Sequence, residues 1–321
     1  MKRILFIILL TLVFSPISAL KIYNKKDKKV DMDISVSTKY DYKASLFPGL
    51  SSFHEPKAKL KLTGEYLDNL KLFIYTDLND EGVKAAYINY DFFKPLGLRV
   101  GKFKVHYGRE KTESTAASID SDASDNFTPG YSSGISLYGK DLLNIIDYNL
   151  SFTNDYNSNS ENETGQHTLT LFFGKTFILG QQYELSPGYN VLYNTDETFS
   201  QSISIMLYSK ENIGSSILLE YMEQRYFNYY WNHSALLSSS YRFENMEPFV
   251  QFEYYDEYVG EKVDKDSFNS GIGVNIYSID EHLKIKACYI NRYGFSKVQT
   301  GGSIFISRMD HKFSLELEFS L

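Results

Sequence analysis

Hydrophobic and polar residues alternate one by one along most of the chain, and helical three-to-four spacing is nearly absent. The last segment is the clearest case. Phe313, Leu315, Leu317, Phe319 and Leu321 share one parity, while Ser314, Glu316, Glu318 and Ser320 share the other. Near residue 60, Ala58, Leu60, Leu62 and Tyr66 oppose Lys57, Lys59, Lys61, Thr63 and Glu65. A period of two marks strands with one apolar face. The charged face meets bulk solvent in a soluble sandwich and lines a lumen in a barrel, so alternation alone allows both.

The joints between strands discriminate. The pattern predicts strands at 31–41, 56–67, 70–78, 83–92, 97–107, 132–140, 144–153, 167–177, 181–186, 199–209, 214–222, 232–243, 247–255, 268–278, 282–291, 301–308 and 311–321. The piece at 181–186 is the weakest, because Pro187-Gly188 interrupts it, and a break at Met309-Asp310 divides the last two. Tight turns fall at 68–69, 93–96, 141–143, 178–180, 210–213, 244–246, 279–281 and 309–310. Between them lie longer or polar joints at 42–55, 79–82, 108–131, 154–166, 187–198, 223–231, 256–267 and 292–300. Short and long joints therefore take turns, as in outer-membrane barrels with short periplasmic turns and long outer loops. A sandwich has no reason to sort its loops by parity. The expected fold is all-β, a transmembrane antiparallel β-barrel. Bacterial barrels have even strand numbers, so the seventeen segments imply about sixteen strands, with one split wrongly or outside the wall. A wall of that size encloses an aqueous channel unless it is plugged.

Composition agrees. Aromatic residues make up 16% of the chain, with 27 Tyr and 23 Phe, as expected of interfacial girdles. At the N-terminus, Lys2 and Arg3 precede the apolar run Ile4 to Phe14, Pro16 and the small-residue site Ile17-Ser18-Ala19. Residues 1–19 read as a cleaved signal peptide, 20–30 as a short lysine-rich periplasmic lead-in too small to plug a lumen, and 31–321 as the barrel. After residue 20 no apolar run approaches the ~18 residues of a membrane helix. Removing Lys2 and Arg3 takes the net charge from -7 to -9, a poor balance for binding nucleic acid. The single cysteine, Cys288, excludes an internal disulfide and a multi-cysteine metal site.

Two stretches carry a family resemblance. Ala86-Tyr87-Ile88-Asn89-Tyr90, followed by Leu98 to Val105 with its Gly101-Lys102-Phe103-Lys104 core, resembles a strand pair of the phosphate-selective porin O/P family. Phe127 to Ile135, then Leu137-Tyr138-Gly139, is similar to the strand entered after that family's long third loop. The resemblance implies a sixteen-stranded, trimeric outer-membrane channel with loop three folded into the pore. This chain has no arginine near Tyr131, and only six in the mature sequence, where phosphate-selecting members are arginine-rich. The resemblance supports a porin and does not support phosphate selectivity.

If the apolar parity meets lipid, the other parity meets the lumen. That places Lys57, Lys59, Lys61, Lys71, Lys102, Lys104 and His106 together on an inner basic wall, with Lys284, Lys286, Arg242 and Arg292 on later strands. Lysines at mid-depth on the lipid face would cost ~2–4 kcal/mol each, which favours the inward assignment. The longest joint, 108–131, carries Glu110, Glu113, Asp120, Asp122 and Asp125. Folded inward, it would set acids against the lysine wall in a constriction zone; folded outward, it is a solvated acidic loop. The run Asp120 to Asp125 lacks the glycine and distal glutamate of a calcium-binding EF-hand loop, and the six histidines show no ligand spacing, so no metal or cofactor is expected. No motif ties a serine to a histidine, which argues against an outer-membrane enzyme. The partners expected are outer-membrane lipid, small hydrophilic solutes or ions and, from the resemblance, two further copies of the chain. Two alternatives stay open: a sugar-specific channel using Tyr87, Tyr208 and Tyr255, and an adhesive barrel with exposed loops such as 154–160.

Overall fold

The computed structural model describes residues 20–25, 28–44, 50–53, 57–78, 82–108, 130–143, 145–154, 166–195, 198–210, 213–226, 230–258, 263–278, 282–298 and 304–320. The first half holds β1 (Leu20–Lys25), β2 (Lys28–Ala44), β3 (Leu50–Phe53), β4 (Lys57–Tyr66), β5 (Leu70–Asp77), β6 (Val83–Phe93), β7 (Leu96–Lys104), β8 (Tyr131–Leu142), β9 (Ile146–Asn154), β10 (His167–Gly174) and β11 (Phe177–Leu179). The second holds β12 (Tyr183–Asn194), β13 (Thr198–Ser209), β14 (Gly214–Tyr226), β15 (Tyr230–Arg242), β16 (Met246–Tyr258), β17 (Val263–Tyr277), β18 (Leu283–Val298) and β19 (Ile304–Ser320). Every pairing is antiparallel, and β19 pairs with β2 from His311↔Ala44 to Ser320↔Ser35, closing the sheet on itself. Closure satisfies every strand edge, as a sheet in lipid requires.

Sixteen strands make the wall: β2, β4 to β10, and β12 to β19. The three short pieces continue existing columns. β3 pairs with the upper part of β2 above β4, and β11 continues β10 along β12. The lead-in differs from expectation: β1 forms a hairpin on β2, Leu20↔Met32 to Lys25↔Lys28, below the point where β19 ends opposite Ser35.

The surplus seventeenth segment disappears at the end of the chain. Residues 301–308 and 311–321 are not two strands: Met309 and Asp310 pair with Tyr293 and Arg292 inside a continuous β19. A second difference lies at Pro187-Gly188, expected to begin a long joint. Instead β12 runs through them, pairing Pro187 with Ile205 and Gly188 with Ser204. The cost appears on the other side. Lys175 donates its backbone N–H to the Pro187 carbonyl at 3.3 Å, but proline returns no N–H, and the column breaks there between β10 and β11.

The joint pattern holds in the first half only. Joints 105–130 and 155–166 are long beside turns such as 94–95. In the second half, joints expected at 187–198, 223–231, 256–267 and 292–300 shrink to 195–197, 227–229, 259–262 and 299–303, because the strands themselves continue. Large apolar side chains stand exposed on one parity of each strand, among them Ile88, Val100, Ile135, Phe152, Ile203, Ile272 and Phe313. Such a surface belongs against lipid tails.

Candidate permeation pathway

The inner face is identified by what crosses it. After β7, Val105 still donates its backbone N–H to the Gly130 carbonyl at 3.1 Å, and His106, Tyr107 and Gly108 then lead off the wall. Tyr107 is 1% exposed and packs with Leu192 of β12, Met222 of β14 and Tyr255 of β16. In a ring of sixteen, β16 stands eight places from β7, on the opposite side. The His106 ring lies 4.2 Å, centroid to centroid, from Phe172 of β10. These contacts are possible only through the lumen, so the parity of Phe172, Leu192, Met222 and Tyr255 faces inward. Burial pushes the Tyr107 phenol well above its usual range, with the charge of Glu220 adding to the shift. Burying a side chain of this size contributes about 2–3 kcal/mol, enough to hold the segment across the lumen.

Following cross-strand partners from these positions assigns the lysines. One inner row runs Glu65, Lys71, Asn89, Arg99, Ser136, Ser151 and Thr170. Lys57, Lys59 and Lys61 share the parity of Glu65 on β4 and face inward opposite Ser37, Ser35 and Asp33. Lys71 is neutralised by Glu65 at 3.2 Å. Lys61 lies 6.0 Å from the Tyr75 ring centroid, whereas Lys57 and Lys59 make no ion pair among the described residues. Unspent positive charge of this wall therefore resides on β4 and, on β7, at Arg99.

Lys102 and Lys104 depart from expectation. Lys102 lies in the row Met32, Leu62, Ile74, Ala86, Lys102 and Ser133, next to Val100 and Ile135, and Lys104 pairs with Tyr131 on the same parity. Lys102 occupies an outer-row position, and Lys104 shares its parity at the end of the strand, where the Tyr131 ring opposite it turns to Tyr75. Beyond Arg99 and Gly101 the inner parity of this stretch turns apolar instead, since Phe103, Val105 and Tyr107 are buried inside the barrel. Long lysine stems let the ammonium groups reach the headgroup region from an outer position. His106 is inside, but on the segment that leaves the wall. Glu110, Glu113, Asp120, Asp122 and Asp125 lie outside the described residues.

Sequence reading missed an acidic wall. Glu220 of β14 and Glu253 of β16 lie in the inner row Ser204, Glu220, Leu236, Glu253 and Asn269, two positions from Met222 and Tyr255. Glu253 is 2% exposed and accepts the Asn269 amide at 3.0 Å. Lower on β16, Glu247 accepts from Ser240 at 3.0 Å, Asn275 at 3.3 Å and Tyr277 at 2.6 Å. β14 stands nine wall positions from β4, so lysines and glutamates face one another across the lumen. All three acids fall within the strands expected at 214–222 and 247–255, but they share parity with Leu218, Met222, Phe249 and Tyr255, so apolar parity did not mark them as inner. Among the described residues no cluster of three or more His, Cys, Asp or Glu side chains could hold a metal ion.

Residues 39–119 match the family model of phosphate-selective porin O and P. The match runs from within β2 to beyond the end of β7. Solved porins share its whole architecture. In-vitro folded OmpT of Vibrio cholerae superposes with a TM-score of 0.68 at 11% identity, covering 94% of this chain and 100% of its own. The trimer form of OmpT gives a TM-score of 0.63 at 12% identity, covering 92% and 100%. An anion-selective porin from Comamonas acidovorans gives 0.63 at 12%, also covering 92% and 100%. At these identities the likeness is one of fold. No curated protein matches by sequence. The partial family match and the shared barrel support an outer-membrane channel for ions and small solutes.

Proposed function

We propose that the protein is a porin that draws small anions along the lysine face of β4, past a constriction made by the segment that follows β7. The observation that carries the reading is Tyr107, seated on Leu192, Met222 and Tyr255 across the lumen from its own strand. A segment fixed there moves the open path towards the β4 side, where Lys57, Lys59 and Lys61 face water. Opposed charges across a low-dielectric wall orient dipolar solutes and raise the local concentration of one ion sign. The anion selectivity of the Comamonas porin is consistent with this sign. The acids expected on loop 108–131 join the proposal as the second side of the constriction. We also propose cleavage of residues 1–19 and assembly as a homotrimer, in keeping with the trimer form of OmpT.

Reversal potentials of the refolded protein in a planar bilayer, under a potassium chloride gradient, test the central reading. A potential displaced towards chloride is expected. One displaced towards potassium overturns the anion assignment, and absent conductance overturns the open channel. Crosslinking in outer-membrane vesicles tests the trimer, which a ladder ending at one chain would overturn.

A further inference from the structure

We infer that the inner wall of β5 to β8 carries a binding site for small carboxylates that bear a flat ring. The inference rests on the open channel proposed above, through which such a solute must enter. Its centre is Arg99. The guanidinium carbon lies 4.7 Å from the ring centroid of Tyr87, 5.6 Å from that of Phe103 and 5.4 Å from that of Tyr138. Nε donates to Asn89 Oδ1 at 2.8 Å. The terminal guanidinium nitrogens make no ion pair among the described residues, and Asp91 is occupied by the Tyr138 hydroxyl at 2.7 Å. An arginine laid flat on aromatic rings, facing a lumen without a carboxylate of its own, is prepared for a carboxylate supplied by a solute.

The rings extend beyond Arg99. Phe73 stacks on Tyr87 at 4.9 Å with the planes 24° apart, and Tyr75 meets Tyr131 at 5.9 Å. The wall beside Tyr87 carries no side chains, because Gly101 and Gly134 are its next two row neighbours. Both must be glycine. Gly101 has φ +128°, and a Cβ there would lie 2.3 Å from the Ala86 carbonyl oxygen. A Cβ on Gly134 would lie 2.2 Å from the Phe152 carbonyl oxygen. The strip thus offers ring faces, bare backbone and a planar cation side by side. Acetate can use only the cation, whereas benzoate can pair its carboxylate with Arg99 and stack its ring.

Benzoate and acetate, matched in charge, test the site as blockers of single-channel chloride current. Benzoate should interrupt the current at concentrations about tenfold lower than acetate. Arg99→Lys keeps the charge and removes the planar fork, and should reduce that advantage to about twofold or less. Tyr87→Leu should lower benzoate block while leaving acetate block as it was, and heat-modifiable migration on gels reports that each variant is folded. Equal block by the two anions in a conducting wild-type channel overturns the site and leaves the channel standing. An advantage that survives both substitutions also overturns it. A wild-type protein without chloride current removes the channel reading itself.

Discussion

The two halves of the barrel wall solve the same problem differently. From β4 to β10 the strands have 8 to 12 residues, and the joints above them reach the lengths of 105–130 and 155–166. From β12 to β19 they have 12 to 17 residues with joints of three to five. At ~3.3 Å per residue and ~40° tilt, eight residues rise about 20 Å and thirteen about 33 Å, against an apolar band of ~25 Å. The described strands of the first half barely span the membrane. The second half keeps its chain in paired strands beyond the membrane. The inner faces differ to match. Lysine, arginine and aromatic rings line β4 to β8, whereas Ser200, Ser202, Ser204, Ser234 and Ser238 line the strands that receive Tyr107. Small side chains on one half make room for the segment launched by the other.

The largest effect should come from removing the link between the halves. Tyr107→Ala deletes a buried ring at a cost of about 3–5 kcal/mol in local stability and frees the crossing segment. Single-channel conductance should rise severalfold with noisier open levels; unchanged conductance would show that the segment does not narrow the path. Next comes the charge of the first half. Lys57→Glu, Lys59→Glu and Lys61→Glu together should reverse ion preference, read as a change in sign of the reversal potential. Lys102→Leu with Lys104→Leu should leave that potential where it is, because both positions lie on the outer parity. A shift comparable to the β4 triple would return them to the lumen. Smallest is Pro187→Val, which restores a backbone N–H opposite Lys175. Stability should increase by about 1 kcal/mol, measured by urea titration of refolding in vesicles, with slower amide exchange around Lys175. Destabilisation would show that the break between β10 and β11 has another cause.

The outer lysines show how far a sequence pattern reaches. On β4, alternation and strand register assign Lys57, Lys59 and Lys61 the same parity, opposite that of Leu60 and Leu62. On β7 the same rule points the wrong way. Phe103, Val105 and Tyr107 are apolar because they are buried inside the barrel, and Lys102 and Lys104 alternate with them on the outside. Apolar parity reports burial, and a lumen crossed by its own loop hides a side chain as well as lipid does. The wall glutamates were missed for a related reason. Glu220 alternates in step with Leu218 and Met222, and Glu253 with Phe249 and Tyr255, so these acids share a face with apolar side chains that meet the lumen and not lipid.

The sequence by itself determined a closed antiparallel barrel and its size of sixteen strands. Those follow from a period of two, short turns and evenness, which are local or countable properties. Only the tertiary structure decided where strands continue through Pro187-Gly188 and Met309-Asp310, since pairing partners far along the chain supply the missing hydrogen bonds. It also decided that Tyr107 crosses to β12, β14 and β16 and that Arg99 lies among three rings. Such contacts join residues from separate strands, and only closure of the wall brings them within reach.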